Sequence, residues 1–329
     1  MKTYLVTGGC GFIGANFIRY ILETNKDVNV INIDKITYCG NMDNLKDFEG
    51  DARYKFYKLD ICDEFSIKSI LLQTKPDYVI NFAAESHVDN SISGGDEFIK
   101  TNISGVNNLL KQILYLVNNE EYKIKRFVQI STDEVYGSVD KPSKETDLLN
   151  PSSLYSASKA GGEFVALSYY KTHGLPVVIT RSSNNYGPYQ YPEKVIPLFI
   201  TNLLRDKQIP LYGNGLNKRD WLYVEDNCKA IDIVAQRGVN GEIYNIGTHQ
   251  SDITNLKLTN TLLKLLGKDS ESIVYVKDRL GHDFKYAVNS KKIREFGWKP
   301  EVRFNNGIKR TINWYKNNEE WWTKLNVNK

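Results

Sequence analysis

The first 34 residues constrain the fold of this chain more than any other stretch. Thr3-Tyr4-Leu5-Val6-Thr7 is a short apolar strand that breaks at Gly8-Gly9-Cys10-Gly11-Phe12-Ile13-Gly14. Ala15 to Glu23 then carries Phe17, Ile18, Ile21 and Leu22 at helical spacing. Strand, glycine turn and helix in that order open a dinucleotide-binding βαβ unit. Gly8 permits the tight turn, Gly11 lets backbone approach a pyrophosphate, and Gly14 allows close helix packing, with the helix amino terminus facing the phosphate charge. The spacing is Gly-x-x-Gly-x-x-Gly, one residue wider than the usual opening of the fingerprint. A second strand, Val28 to Ile33, ends in Asp34, twenty residues past Gly14, where an acidic side chain accepts hydrogen bonds from the adenosine ribose. A carboxylate there repels the 2′-phosphate of NADP, so the expected cofactor is NAD.

The alternation continues. Strands are expected at Tyr54 to Leu59, Asp77 to Phe82, Arg126 to Ile130 and Val177 to Thr180, with helices at 63–74, 98–117 and from Tyr155 to a glycine stop at His173-Gly174. Strands separated by helices at this spacing predict an α/β fold with a doubly wound parallel sheet of Rossmann type. After Arg181 the texture changes to a turn-rich polar and aromatic loop at 182–192 and a helix near 194–205. Short strands at Ile209 to Tyr212 and around Arg219 to Leu222 follow, then a helix from Glu225 to Gln236 and one more sheet strand, Ile243 to Ile246. Beyond these come a helix at 254–266, a strand at 273–276 and a last helix at 306–317. The expected division is residues 1–181 plus about 220–250 as the NAD-binding domain. About 182–219 plus 251–329 would form a smaller mixed α/β substrate lobe.

The chemistry concentrates between Ser131 and Lys159. Ser131-Thr132-Asp133-Glu134-Val135-Tyr136-Gly137 follows a buried strand directly, so its polar groups emerge at the carboxyl edge of the sheet, where open α/β sheets bind ligands. Tyr155 and Lys159 open the next helix and, four residues apart, share a face. A free phenol with a pKa near 10 is too weak a base at neutral pH. A neighbouring ammonium and the positive nicotinamide are expected to lower it, and the lysine can also hold the nicotinamide ribose. With Thr132 placed to hydrogen-bond a substrate hydroxyl, the set suits hydride transfer from a carbinol carbon.

Composition excludes other classes. A net charge of +4, with 25% charged residues, suits a small anionic ligand and forms no basic stripe for nucleic acid. No apolar run approaches the roughly 20 residues of a membrane span, and the chain enters its first strand with no room for a signal peptide, so a cytoplasmic location is expected. Cys10, Cys39, Cys62 and Cys228, like His87, His173, His249 and His282, show no metal-ligand spacing, so no metal is expected.

Thr7-Gly8-Gly9-x-Gly11-Phe12-Ile13-Gly14, Asp34 and Tyr155-x-x-x-Lys159 resemble the extended short-chain dehydrogenase/reductase family. Phe82-Ala83-Ala84-Glu85-Ser86-His87-Val88-Asp89, the Ser131–Gly137 stretch, Ser183 to Tyr189, Arg219-Asp220-Trp221-Leu222, Asp278 to Asp283 and Trp321-Trp322 resemble its dTDP-glucose 4,6-dehydratase branch. That likeness implies a hydro-lyase of deoxysugar biosynthesis acting on a nucleoside-diphosphate sugar. The sugar is oxidised at carbon 4, water is eliminated across carbons 5 and 6, and hydride returns to carbon 6. It implies Glu134 as the base at carbon 5 and Asp133 as the acid at the departing hydroxyl. As NAD contacts it implies Gly8, Gly11, Phe12, Ile13, Gly14, Asp34, Lys35, Thr37, Asp60, Ile61, Phe82, Ala83, Ala84, Ser86, Thr101, Tyr155, Lys159 and Asn185. As substrate contacts it implies Ser86, His87, Thr132, Asn184, Lys194, Val195, Pro210, Tyr212, Arg219, Asp278, Arg279 and His282. The guanidinium of Arg219 suits a diphosphate, which it can grip with two hydrogen bonds.

The family's usual homodimer pairs the helices near 98–117 and 155–172, and Leu109, Leu110, Ile113, Leu114, Phe164 and Leu167 allow that pairing or simple packing on the sheet. Asn90, Thr248 and Leu280 replace the Arg, Gly and Pro usual in the branch. UDP-glucose dehydratases tolerate the first two changes, so UDP- or CDP-glucose stays open as the substrate. A nucleotide-sugar 4-epimerase or decarboxylase, and a non-catalytic NAD-sensing protein, are the rival readings.

Overall fold

A computed structural model describes residues 1–86, 94–250, 252–278 and 281–325. Strands β1 (Lys2–Thr7), β2 (Val28–Asp34), β3 (Tyr54–Lys58), β4 (Tyr78–Asn81), β5 (Arg126–Thr132) and β6 (Val177–Ser182) join Ile243–Ile246 in a seven-stranded sheet. The order across it is Ile243–Ile246, β6, β5, β4, β1, β2, β3, and every neighbouring pair is parallel. The chain winds outward in both directions from β1 and β4. The gap above their carboxyl ends is therefore the switch point at which such sheets bind ligands.

Side-chain alternation along β1 shows why both faces are covered. Tyr4 and Val6 enter a core with Phe17, Ile18 and Ile21 of helix α1 (Phe12–Thr24) and Ile231 and Val234 of helix Val224–Arg237. Leu5, pointing the other way, meets Ile67 and Leu71 of helix α2 (Glu64–Thr74) and Leu109 and Ile113 of helix Val106–Asn119. Each such fully buried side chain contributes about 1.5–3 kcal/mol. A third core lies among the carboxyl-terminal helices, where Ile196, Phe199 and Ile200 pack with Leu258, Leu262, Ile308, Ile312 and Tyr315. Helix Leu154–His173 starts at a capping box between Ser153 and Ser156 and stops at Gly174 in the left-handed conformation, the glycine stop its sequence predicts.

Two elements differ from expectation. The loop at 182–192 contains a strand, Asn184–Tyr186, paired parallel with Trp221–Tyr223. Burial of Tyr186 edge-on to Trp221 and Tyr223 holds it there. The single helix expected over 98–117 is helical at Asp96–Ile99, widens to a π turn at Lys100–Gly105 and resumes at Val106–Asn119. In the wide turn, Asn102 accepts from the Glu85 N–H (2.9 Å) and donates to the Glu85 carbonyl (3.0 Å) and to Ser158 Oγ (2.9 Å). The π turn thus ties the end of β4 to the Tyr155 helix, the kind of functional placement typical of π bulges. Leu109, Leu110 and Ile113, allowed for pairing with a second subunit, are buried within the chain. No helix among the described residues is long and apolar enough to cross a membrane.

Candidate active site

The glycine loop is shaped by what it excludes. Gly8 has φ +67°, and a Cβ on it would stand 2.6 Å from the Ala83 nitrogen. A Cβ on Gly14 would stand 2.3 Å from the Gly8 carbonyl oxygen. Gly9, a free position in the expected pattern, is equally constrained, because its Cβ would lie 2.2 Å from Asn32 Oδ1. The first turn of α1 has no side-chain cap at Gly11, so its outer N–H groups are left for an anion. Asp34, 9% exposed, accepts from the N–H groups of Cys10 (2.9 Å) and Ile36 (2.8 Å). Burial pushes its carboxyl up and those two bonds pull it back. Lys35 pairs with Asp60 at 2.9 Å.

Every residue expected to touch the cofactor, from Gly8 through Thr101 to Asn185, lines one cleft of about 330 Å³ at the switch point, and Thr132, Asp133, Glu134, Asn184 and Lys194 line it too. Its walls hold Ser131 Oγ, Asp133 Oδ2, Ser183 Oγ, Asn184 Oδ1, Asn185 Oδ1 and Gln190 Oε1, all buried and without hydrogen-bond partners among the described residues. Buried polar atoms are seldom left unsatisfied, so this concentration fits a polar ligand, and the glycine cradle with Asp34 fits NAD. The sequence reading missed Tyr38 and Tyr191, packed edge to face at 5.9 Å on this wall, and Glu193, which accepts from the Tyr38 hydroxyl at 3.2 Å. The aromatic texture of 186–191 was the available signal.

The acid–base groups sit where β5 ends. Thr132 caps a single turn, Asp133–Tyr136, by accepting from the Glu134 N–H at 3.2 Å, and its hydroxyl lies 3.3 Å from Asp133 Oδ1. Asp133 is 2% exposed. Burial raises its pKa well above the ordinary value, the neighbouring charges of Glu134 and Asp220 add to this, and Arg219 opposes them. These surroundings favour the protonated form of Asp133, which can donate, while Glu134 beside it opens onto the cleft.

The Tyr155 phenol departs from expectation. Burial and the charges of Glu134 and Asp133 raise its pKa, with only the Thr132 hydroxyl pulling down. Lys159, 4% exposed, donates to the Ile130 carbonyl at 2.6 Å, and burial drives its ammonium down to about 8 against partial support from Glu163. The lysine thus bonds to the β5 backbone in this structure, and the positive ring of a bound NAD would supply charge that lowers the phenol's pKa.

The expected substrate residues divide. Lys194 reaches the Ser86 carbonyl at 3.3 Å on the cleft wall. Arg219 is buried, stacks on Tyr286 at 4.2 Å and donates to the carbonyls of Lys218 (2.8 Å) and Asp283 (3.1 Å). Its charge reaches Asp133, because the segment from Asp283 to Val288 runs between Lys218 and the Ser138–Ser143 loop that follows the acid turn. Pro210 and Tyr212 lie on Ile209–Tyr212, paired with Ile273–Val276. Asp278 lies against Gly213 and contacts His282 Nδ1 at 2.7 Å. Val195 begins helix Val195–Leu204. These residues do not line the cleft. His87 and Arg279, with Asn90 and Leu280, lie outside the described residues. Thr248 donates through its N–H and its hydroxyl to the buried Asp220 carboxylate, so the threonine in the usual glycine's place has a local structural use. All four cysteines are free thiols.

The sequence profile of the GDP-mannose 4,6 dehydratase family matches residues 5–311. The dTDP-glucose 4,6-dehydratase of Escherichia coli is 44% identical over 98% of this chain and 95% of its own length. The crystal structure of DesIV, a dTDP-glucose 4,6-dehydratase from Streptomyces venezuelae with NAD and TYD bound, is 45% identical. It superimposes with a TM-score of 0.93, covering 98% of this chain and 99% of its own. The UDP-glucose 4-epimerase of Thermotoga maritima, solved with UDP-glucose, superimposes at 0.87 with 31% identity, covering 96% and 99%.

Proposed function

Because the chain belongs to the GDP-mannose 4,6 dehydratase family, we infer that it catalyses the NAD-dependent dehydration of dTDP-glucose to dTDP-4-keto-6-deoxy-glucose. It is a hydro-lyase that holds NAD with the glycine loop, Asp34 and the walls of β4 and β5. The observation that carries the reading is the pair Asp133 and Glu134, one a buried carboxyl whose pKa is raised by burial and the other beside it on the cleft wall. Two adjacent carboxyls, one buried and one on the cleft wall, can supply an acid and a base at once.

The cleft residues would hold NAD, which when bound would supply the acceptor and donor of the hydride exchanged between carbons 4 and 6 of the sugar. Tyr155, with the Thr132 hydroxyl next to it, takes the proton of the carbon 4 hydroxyl. Lys159 supplies the charge that holds the ribose end of the site. The carbon 4 ketone makes the carbon 5 proton acidic, and Glu134 removes it. Asp133 gives its proton to the carbon 6 hydroxyl, which leaves as water, so atoms and charge balance across the elimination. Arg219, through its guanidinium, and the Tyr212–Asp278–His282 group are assigned to the nucleotide, along with Lys194 and Asn184. Burial of Asp133 counts against a 4-epimerase, which has no hydroxyl to expel.

The same reading divides the chain into the NAD-binding domain and the smaller lobe around the third core. It also makes the protein a cytoplasmic homodimer. Support for pairing comes from Phe164, 63% exposed, with Ile99 and Tyr115 also exposed on the adjoining helices. Incubation of the purified protein, without added cofactor, with dTDP-, UDP- and CDP-glucose in parallel tests the function. The alkali-absorbing 4-keto-6-deoxy product should form fastest from dTDP-glucose, and its absence from all three would end the proposal.

A further inference from the structure

The reacting groups sit on two different elements. Thr132, Asp133 and Glu134 lie at the end of β5, whereas Tyr155 and Lys159 belong to helix Leu154–His173. Two contacts join the sets at the reacting groups themselves, Lys159 to the Ile130 carbonyl and Tyr155 to the Thr132 hydroxyl, and neither reaches the turn residues beyond Thr132. Behind both lies a buried polar cluster that the reaction does not use. Glu163 is one turn beyond Lys159 on the same helix face. Tyr136 ends the turn that carries Asp133 and Glu134. Arg181, 3% exposed on β6, reaches both. Its Nε donates to Glu163 Oε1 at 3.0 Å and to Oε2 at 3.1 Å, and its Nη2 donates to Oε2 at 2.5 Å. Its Nη1 donates to the Tyr136 hydroxyl at 2.7 Å, and the guanidinium carbon lies 4.8 Å from the centre of the Tyr136 ring. Tyr136 passes the network on, donating to Asn245 Oδ1 at 2.9 Å.

A buried ion pair is a poor source of stability, because apolar residues of similar volume in its place are often as stable or more so. Its use lies in the fixed geometry of its bonds, since a planar guanidinium gripping a carboxylate at two points holds direction as well as distance. We propose that Arg181 is a positioning residue that clamps the Tyr155–Lys159 helix, through Glu163, to the Asp133–Glu134 turn, through Tyr136, so that oxidation and elimination act on one sugar in one pose. The inference rests on the division of labour proposed above. It assigns the clamp to residues that touch neither sugar nor cofactor. Misplacing a reacting group by about 1 Å costs on the order of 100-fold in rate, so a single hydroxyl in the clamp has a measurable effect.

Tyr136→Phe removes one hydroxyl and preserves the packed ring, so the variant should fold. Single turnovers of the holoenzyme with dTDP-glucose in deuterated water read the two halves separately. Reduced-nicotinamide absorbance reports oxidation, and deuterium uptake at carbon 5 reports the elimination half. A hydrogen bond to a charged group is worth about 1.5–3 kcal/mol, equivalent to about 10- to 100-fold in rate. Tyr136→Phe should therefore slow deuterium uptake by about that factor while oxidation proceeds, so that reduced cofactor accumulates. Glu163→Gln should do the reverse, slowing the appearance of reduced cofactor first. Equal slowing of both steps in both variants alongside a matching fall in Tm, or no change in either step, would overturn the clamp. Failure of the unmodified protein to turn over at all would overturn the assigned function, and the clamp with it.

Discussion

Replacing Lys159 by Met should cost all activity and little or no stability. The ammonium is 4% exposed, and its fall from 10.5 to about 8 is caused first by burial. At about 1.4 kcal/mol per tenfold in the proton equilibrium, the fold disfavours the charged form by about 3 kcal/mol relative to the unfolded chain. Met removes that cost but leaves the Ile130 carbonyl, now bonded at 2.6 Å, without its donor, at about 1–3 kcal/mol. The variant should thus lie between roughly neutral and about 2 kcal/mol more stable at neutral pH. In the fold the amine gives up its proton near pH 8, whereas the unfolded chain keeps it to about 10.5. Between those values the unfolded chain holds more protons, so the unmodified protein gains stability as pH rises through that window. Met lacks this slope, and any advantage it has should shrink toward pH 10. Urea unfolding of both proteins, stripped of NAD, at pH 7 and pH 10 measures the gap. A variant less stable by more than about 2 kcal/mol at pH 7, or a gap insensitive to pH, would refute the claim that Lys159 is held charged against the preference of the fold.

Asp133→Asn should slow elimination by about 10²- to 10⁴-fold, the usual range for loss of a general acid, while hydride exchange continues. Rapid-scan absorbance should then show reduced cofactor building up. In Gly14→Ala the new Cβ would stand 2.3 Å from a backbone oxygen, so the protein should purify without NAD, as measured by the cofactor released on denaturation. Asp34→Ala removes the carboxylate that repels a 2′-phosphate, and titrations with NAD and NADP should show the preference between them narrowing. Phe164→Glu places a charge on the exposed helix face and should shift the proposed dimer toward monomer in sedimentation, and an unmodified protein that sediments as a monomer would end that proposal.

The cofactor half of the site was legible because its constraints are local. Gly8 and Gly14 are required by backbone contacts within a few residues or across one strand, and Asp34 ends its strand. Gly9 was not legible, since what forbids a side chain there is Asn32 on the neighbouring strand. The strand at Asn184–Tyr186 was hidden for a similar reason, as its pairing partner begins at Trp221. The π turn at Lys100–Gly105 follows from bonds that Asn102 makes to Glu85 and Ser158, which no periodicity reveals. Tyr155 and Lys159 share the expected face, but the lysine bonds to the Ile130 carbonyl, a contact set by the depth of the helix against β5. The residues expected at the nucleotide sit on short strands whose partners lie far along the chain, Arg219 against Ile253 and Tyr212 against Val276, pairings that no local pattern reveals.

The claim that one bound NAD serves both redox steps is tested most directly with dTDP-glucose carrying deuterium at carbon 4. The purified protein, given no added cofactor, should yield a 4-keto-6-deoxy product with that deuterium at carbon 6. Product with the label retained at carbon 4, or lost to solvent, would contradict the account.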